Sequence, residues 1–191
     1  MRTIRQNVFE TNSSSEHTLV LSPVENGKSL QKEIKAIKKH LSENIKDGMY
    51  VIDPDRIWNL DFGEFKTFED KFLFVFVLLL LSGECSKKLM TQRMWENECF
   101  TISKANKVFP ETNKDFVKKI CKWMEDMSGV ECHGIKIGDR FNASGKKLKR
   151  CHWDINHQSL YDAQSEENLG LKEDIFTVVT TIGMTISYEF C

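Results

Sequence analysis

An unbroken apolar run limits the folds that this chain can adopt more than any other feature. Ten consecutive apolar residues, "FLFVFVLLLL", occupy positions 72–81. A membrane-spanning helix needs about 20 such residues, and a helix that is apolar on every side belongs in the centre of a core. Thr67 followed by Asp70 is typical of a capped helix start. The sequence therefore predicts a buried central helix over about residues 68–81.

Two amphipathic helices flank this run in the sequence. The first has apolar residues at helical spacing, with lysines and glutamates between them, at Leu30, Ile34, Ile37, Leu41 and Ile45. The second has its apolar stripe at Phe116, Ile120, Trp123, Met124 and Met127, followed by a stop at Gly129. Strands are predicted over His17–Pro23, 49–53 and 99–103, and a further helix over 89–95. The segment "DIFTVVTTIGMTISYEFC" fits either two strands or a helix and a strand.

Residues 130–155 predict a long β-hairpin. Two strand-like segments, "VECHGIKIGDRF" and "LKRCHWDI", flank the glycine-containing "NASGKK", and this order is typical of antiparallel strands joined by a longer turn. No repeat or Pro/Gly-rich linker divides the chain. We therefore expect a single compact α+β domain over residues 1–191, in which two or three helices cover a mainly antiparallel sheet and the hairpin can protrude.

Charge and cysteine content narrow the environment. Lys and Arg total 27 against 28 Asp and Glu, which gives a net charge of -1. Any attraction to nucleic acid must therefore come from a local patch, and we expect no membrane contact. The beginning of the sequence has no apolar signal segment. We expect a cytoplasmic protein whose six cysteines are mostly free thiols.

Small polar residues concentrate directly before the first predicted strand. The segment "NSSSEH" contains Asn12, Ser13, Ser14 and Ser15, followed by His17. Hydroxyl and amide groups beside an imidazole can bind a ligand, and a serine with a base and an orienting acid can act as a nucleophile. The same residue types also satisfy backbone groups in turns. Both interpretations stay open.

A second polar cluster lies late in the chain, in "HWDINHQS". Together with His17, its residues Asp154 and His157 would supply two imidazoles and a carboxylate, which suits acid–base work. If the protein is an enzyme, we expect these three residues to be catalytic and Gln158 to orient the ligand. A hydrogen-bonded structural turn is the alternative. The enzyme hypothesis requires His17 and His157 to approach within a few ångströms.

The dipeptide "CH" occurs twice, at 132–133 and 151–152, and raises the possibility of zinc ligation. Adjacent residues of a strand point to opposite faces, so one doublet cannot readily supply two ligands to one ion. The sequence contains no C-x-x-C pair. We expect neither a metal site nor a cofactor.

Five cations and an aromatic residue cluster on or beside the predicted hairpin turn. They are Arg140, Lys146, Lys147, Lys149, Arg150 and Trp153. Such a patch can contact phosphates and stack on a base, so RNA or DNA contact through residues 140–153 is one interpretation. A solvated turn gives the same pattern.

Three segments together resemble a known group of proteins. "RQNVFETNSSSEHTLVL", "LDFGEF" and "DINHQS" are similar, in that order, to segments of a family of small proteins from phages and prophages of low-GC bacteria. Members typically start with Arg-Asn-Val-Phe-Glu-Thr-Asn-Ser-Ser-Ser-x-His-Ser, carry Gly-Glu-Phe-Gly-Trp in mid-chain, and carry Ile-Asp-His-Gln-Ser late. The resemblance covers the N-terminal segment well and the two later segments in part.

This chain departs from the family pattern at several positions. Thr18 stands where the family usually has Ser, and Lys66 and Thr67 replace Gly-Trp. Asn156 occupies the position of the late Asp. If that Asp is catalytic in the family, Asp154 would have to serve in its place here.

The resemblance implies a phage or mobile-element setting, in which small proteins often act on host machinery or host defence. The leading hypothesis is a phage-type accessory protein that inhibits a host defence system, a CRISPR-type effector or similar, by binding it in the cytoplasm of the host bacterial cell. Its expected partner is a host defence protein or nucleoprotein complex. One alternative is a nucleotide- or nucleic-acid-processing enzyme with a His/Asp/Ser pocket. Another is a structural or regulatory phage protein.

Overall fold

Helices and strands are interspersed along the chain. The computed structural model describes residues 17–23, 27–58, 64–91, 99–152 and 174–190. Within these ranges the helices are α1 (Gly27–Asn44), α2 (Pro54–Trp58), α3 (Phe68–Leu81), α4 (Gly83–Leu89), α5 (Ile102–Thr112), α6 (Lys114–Ser128) and α7 (Asp174–Thr180). The strands are β1 (His17–Pro23), β2 (Ile45–Lys46), β3 (Met49–Ile52), β4 (Glu64–Phe65), β5 (Cys99–Thr101), β6 (Gly134–Ile137), β7 (Arg140–Phe141), β8 (Lys147–Leu148), β9 (Arg150–His152) and β10 (Met184–Phe190). This combination of separate helices and small sheets confirms the α+β class.

Helix α3 forms the centre of the core. The hydroxyl of Thr67 accepts a hydrogen bond from the Asp70 amide (3.1 Å) and donates one to the Asp70 carboxylate (2.6 Å), which closes the first turn. Phe72, Val77 and Leu80 are fully enclosed. A fully buried apolar side chain of this size contributes about 1.5–3 kcal/mol, so the run anchors the fold. The prediction of a capped, buried helix is confirmed. Within the described ranges, no helix combines the length and hydropathy needed to cross a membrane.

The described strands form four small sheets. β1 pairs antiparallel with β10 from His17 opposite Phe190 to Pro23 opposite Met184, and β10 also pairs with β4. The other sheets are β2-β3-β6, β5-β9 and β7-β8. The described pairings are antiparallel except between β3 and β6. Instead of one sheet covered by two or three helices, short strands are distributed around a largely helical core.

The two amphipathic helices pack their apolar faces onto this core. Ile37 and Leu41 of α1 are buried, and so is Ile120 of α6. Helix α6 ends at Gly129, which adopts the left-handed conformation (φ 74°) and donates its amide to the carbonyl of Glu125. Glycine reaches this conformation without the strain that a Cβ atom would cause. Both helices are therefore confirmed.

Helix α5 is an element that we do not predict from the sequence. The strand predicted over 99–103 ends at Thr101, and α5 begins at the next residue. Its Ala105 and Phe109 side chains are buried against the core. Pro110 lies inside the helix, whereas proline usually interrupts a helix interior. The proline and the short apolar pattern conceal the helix in the sequence.

Two further segments can be compared with their sequence predictions. Of the helix predicted over 89–95, only the first three residues are described: Leu89 ends α4, and Met90 and Thr91 lie outside any helix. Residues 92–98 lie outside the described part of the chain, so the rest of that helix stays a prediction. The C-terminal segment forms a helix and a strand, α7 and β10. Pairing of β10 with β1 joins the last described strand to the first.

The predicted hairpin is shorter than the sequence pattern indicates. β6 pairs in parallel with β3, and β9 pairs with β5. Only β7 and β8 form the hairpin, over residues 140–148. Ile135, Ile137 and Cys151 are buried, so β6 and β9 belong to the core. The residues between them are mostly exposed and form the hairpin outside it.

Candidate functional site

The β7–β8 hairpin is built around the side chain of Asn142. Its Oδ1 accepts hydrogen bonds from the amide and hydroxyl of Ser144 (3.1 and 2.8 Å) and from the amide of Lys146 (2.8 Å). Gly145 has φ 77°, a left-handed conformation that glycine adopts readily. These contacts give the turn a defined shape without help from the core.

Strand alternation gives the hairpin an inner and an outer face. Arg140 lies opposite Leu148, and Phe141 lies opposite Lys147, so each pair shares one side of the ribbon. The Arg140 side chain is 20% exposed, and its Nε donates to Oδ1 of Asp55 at 2.8 Å. Phe141 is 55% exposed. The inner face is therefore fastened to α2, while the outer face presents an aromatic ring beside a lysine.

The exposed side of the hairpin carries an excess of positive charge. Lys146, Lys147, Lys149 and Arg150 are all exposed. Lys147 Nζ lies 2.6 Å from Oδ1 of Asp139. The other three cations form no ion pair with any described residue. Because cations without a local carboxylate attract phosphates, this surface is suited to a polyanion.

Most of the predicted polar site lies outside the described residues. This applies to Asn12, Ser13, Ser14, Ser15, Trp153, Asp154, His157 and Gln158. His17 begins β1, with its backbone opposite Phe190, and its side chain is not described. The approach of residues 12–17 to residues 154–159 stays a prediction. By contrast, the five predicted cations all belong to the described part of the chain, on or beside the hairpin and at the start of β9.

The two Cys-His doublets divide between core and surface. Cys132 and Cys151 are buried, whereas His133 is exposed and His152 is half-buried. Burial raises the pKa of Cys151 to about 12, and its thiol donates to the carbonyl of Pro54 at 3.2 Å. Among the described residues, no three His, Cys, Asp or Glu side chains are grouped closely enough to hold a metal ion. The cysteine of each doublet packs as a small core residue.

Two buried thiols are hydrogen-bonded to each other. The hydrogen bond from Cys121 lowers the pKa of Cys132 to about 7, while the pKa of Cys121 rises well above its ordinary value for the same reason. Both side chains belong to the core, at 3% and 4% exposure. Both thiols therefore pack inside the core, away from solvent.

A concave site lies between α1, α2, the start of α3 and β10. It has a volume of about 1030 Å³, and His40, Glu69, Arg56 and Asp70 are among its lining residues. His40 Nε2 lies 2.8 Å from the hydroxyl of Tyr50, and Nδ1 lies 4.0 Å from Oε2 of Glu69. Burial lowers the pKa of His40 from its ordinary value, and the Glu69 carboxylate opposes this shift. The imidazole is therefore uncharged at neutral pH.

Arg56 extends these contacts along the floor of the cleft. Its Nε lies 3.4 Å from Oε1 of Glu69, and its Nη2 donates to Oδ1 of Asp70 at 2.6 Å. Asp70 is also the residue that bonds the capping hydroxyl of Thr67. The arrangement holds a neutral imidazole next to carboxylates, which is chemistry suited to proton transfer.

No protein-family model, curated protein or solved structure matches this chain.

Phe141 and His40 are candidates that sequence reasoning does not select. Alternation within the predicted hairpin places Phe141 on the side opposite to Arg140, but which side the core covers depends on contacts with α2. His40 lies between Ile37 and Leu41 at the edge of an apolar helix face, where histidine is usually structural. Its partners come from β3 and α3, far away in the sequence.

Proposed function

We propose that this protein is a phage-type accessory protein that inhibits a host defence complex, a CRISPR-type effector or similar, by binding it in the host cytoplasm. The resemblance of three sequence segments to phage and prophage proteins supports the setting. The β7–β8 hairpin supports the mode of action, because an exposed basic surface is complementary to a nucleoprotein complex.

One observation carries the binding mode. The hairpin and the residues directly after it combine the exposed Phe141 ring with the exposed side chains of Lys146, Lys149 and Arg150. Large apolar side chains at this exposure commonly mark interaction sites when charged groups surround them. The inner face is fixed by the ion pair between Arg140 and Asp55. The contact surface is thus held in place before a partner arrives.

The proposal is tested by measuring how the target-cleavage activity of a CRISPR effector changes as this protein is added. Purified protein is added to a guide-loaded CRISPR effector from a low-GC bacterium, and target cleavage is measured alongside co-elution on a sizing column. A stoichiometric binder abolishes cleavage at about one inhibitor per effector and co-elutes with it. Complete inhibition far below that ratio, without co-elution, would show a catalytic mode and contradict the proposal. Leu30→Ala is the matched control, because Leu30 is also an exposed apolar residue (41%) and lies on α1.

The cleft favours a second candidate, a nucleotide- or nucleic-acid-processing enzyme. A neutral imidazole beside Glu69 in a cavity of about 1030 Å³ offers a general base, and the hypothesis from the sequence adds His17, Asp154 and His157. Removal of a general base lowers turnover by about 100-fold or more. His40→Ala and His157→Ala would each be assayed for hydrolysis of nucleotides and oligonucleotides. Turnover by the unmodified protein that both variants retain in full would exclude these residues as the base.

A further inference from the structure

We propose that the β7–β8 hairpin binds single-stranded nucleic acid, with a base stacked on Phe141 and phosphates held by Lys146, Lys149 and Arg150. The inference rests on the proposed function in identifying this strand with the nucleic acid of the inhibited complex. The component of that complex that the hairpin contacts would be its nucleic acid.

The aromatic ring of Phe141 lies on the surface of the hairpin. Phe141 is 55% exposed although its class of side chain is usually buried. It faces Lys147 across the ribbon, and the aromatic contacts found in the described part of the chain lie elsewhere, in the core. A base placed on this ring would cover apolar surface that water now contacts. Such stacking is worth about 1–3 kcal/mol per base.

Positive charge is concentrated in the segment that contains Phe141. Residues 138–150 contain five cations and one carboxylate, Asp139. Arg140 is engaged with Asp55, and Lys147 with Asp139. The remaining cations follow Phe141 in the chain, in the turn and directly after β8, and form no ion pair with described residues. A backbone that passes across the ring can therefore contact several positive charges, as sequence-independent binding of single strands requires.

A single strand suits this surface better than other polyanions do. In a duplex, each base is stacked between its neighbours and offers no free face to an aromatic side chain. An unpaired base can leave the stack and lie on the ring. An acidic protein surface would satisfy the cations but would place carboxylates, rather than a flat aromatic face, against the exposed ring. The combination of ring and cations therefore favours RNA or DNA in single-stranded form.

Contacts at both ends and in the turn hold the hairpin in a fixed position. The hairpin is tied to the body through Arg140 and Asp55 on one side. On the other, the amide of Ile102 donates to the carbonyl of Lys149 at 3.0 Å. The Asn142 side chain fixes the turn. A surface ordered before binding loses less conformational entropy when the ligand arrives.

Fluorescence anisotropy with labelled single strands tests the inference. The probes are oligouridine and oligodeoxythymidine of about ten nucleotides, a typical site size, and a duplex of equal length. We expect either single strand to bind more tightly than the duplex. Phe141→Ala should weaken binding about tenfold with an unchanged salt slope, and Phe141→Trp should preserve it. Lys149→Ala and Arg150→Ala should each reduce the slope of log affinity against log salt by about one phosphate contact.

A gain-of-affinity variant sharpens the test. Asp139→Asn removes the carboxylate that engages Lys147, so affinity should rise and the salt slope should become steeper. Circular dichroism confirms folding of each variant, and Leu30→Ala should bind as the unmodified protein does.

Three outcomes would overturn the inference: no binding at low salt, equal affinity for duplex and single strand, or equal affinity of Phe141→Ala and the unmodified protein. If the effector co-elutes with the protein while free single strands do not bind, the hairpin contacts protein. That result rejects this inference and leaves the proposed function intact. If single strands bind but the effector is not inhibited, the proposed function is rejected and this inference about nucleic-acid binding is kept.

Discussion

Lys71 shows how much a single residue can tie together in this fold. It lies at the start of the apolar helix, and its side chain is 1% exposed. Its Nζ donates to the carbonyl of Thr181 at 2.9 Å and lies 3.8 Å from Oε1 of Glu33. Glu33 also accepts a hydrogen bond from the Gly183 amide. One buried cation and its partner thus join α1, α3 and the turn between α7 and β10.

Removing Lys71 alone should be costly. Lys71→Met should lower the free energy of unfolding by about 3 kcal/mol, because it leaves the Glu33 carboxylate without its cation. Lys71→Met combined with Glu33→Gln should lose less than Lys71→Met alone. No uncompensated charge remains in the double variant, and the side-chain carbonyl that replaces the carboxylate can still accept a hydrogen bond from Gly183. Urea denaturation of the single and the double variant measures the two free energies of unfolding. Additive losses in the double variant would contradict the role of the ion pair.

His40 should make stability depend on pH. Burial lowers its pKa from the ordinary value of 6.5, against the opposing influence of Glu69, Glu43 and Asp70. The unfolded chain therefore binds a proton at higher pH than the folded chain does. Stability should fall as the pH drops below 6.5 and should stop falling once folded His40 is also protonated.

The variant His40→Gln isolates this effect. It should retain a hydrogen bond to Tyr50, and its free energy of unfolding relative to the unmodified protein should improve on acidification. Urea denaturation across the pH range below 6.5 provides the measurement. Parallel stability curves for the two proteins would show that His40 does not contribute.

Neither residue could be selected from the sequence. The partners of Lys71 come from α1 and from a turn near the C-terminus, and those of His40 come from β3 and α3. Such contacts depend on how elements pack, and a one-dimensional pattern records only neighbours in the chain. The bond between Thr67 and Asp70 was predictable because both partners lie within one helical turn.

At the scale of elements, Asn106 joins a helix to the edge of a sheet. It lies on α5, and its Oδ1 accepts from the amide of Ile137 at 2.7 Å while its Nδ2 donates to the Ile137 carbonyl at 2.9 Å. One side-chain amide therefore pairs with β6 as a neighbouring strand would. This satisfies backbone groups at a strand edge that would otherwise lack a protein partner.

Asn106→Ala should lower the free energy of unfolding by about 2 kcal/mol, because both backbone groups of Ile137 lose their partner. Lys104→Ala, an exposed position on the same helix, should change it by less than about 0.5 kcal/mol. Chemical denaturation compares them. Equal stability of the two variants would mean that water replaces the amide without cost.

Elements with strong local signals were predictable from the sequence. The apolar period of α1 and α6 and the cap of α3 each lie within one segment. α5 was not predictable, since its first turn follows a strand directly and Pro110 occurs inside it. The hairpin was located correctly but drawn too long, because the sequence cannot show that β6 pairs with β3 rather than with β9.

At the scale of the whole molecule, the α+β class followed from composition and element order, whereas the division of the described strands into four small sheets did not. Strand pairing over long distances, such as β1 with β10, depends on which surfaces the helices leave free. The same packing decides that residues 140–150 remain outside the core. The position of the candidate interface is therefore a property of the complete fold, while its charge was visible in the sequence.

We propose that the β7–β8 hairpin carries the interaction through which this protein would inhibit a host defence complex. The most direct measurement is the cleavage activity of a guide-loaded CRISPR effector titrated with the unmodified protein and with a variant carrying Phe141→Ala, Lys149→Glu and Arg150→Glu. Equal thermal unfolding midpoints would establish that the variant is folded. We expect the unmodified protein to inhibit at about one molecule per effector, and the variant to need about 100-fold more, because several central contacts are lost together. Equal inhibition by the two proteins would contradict the claim.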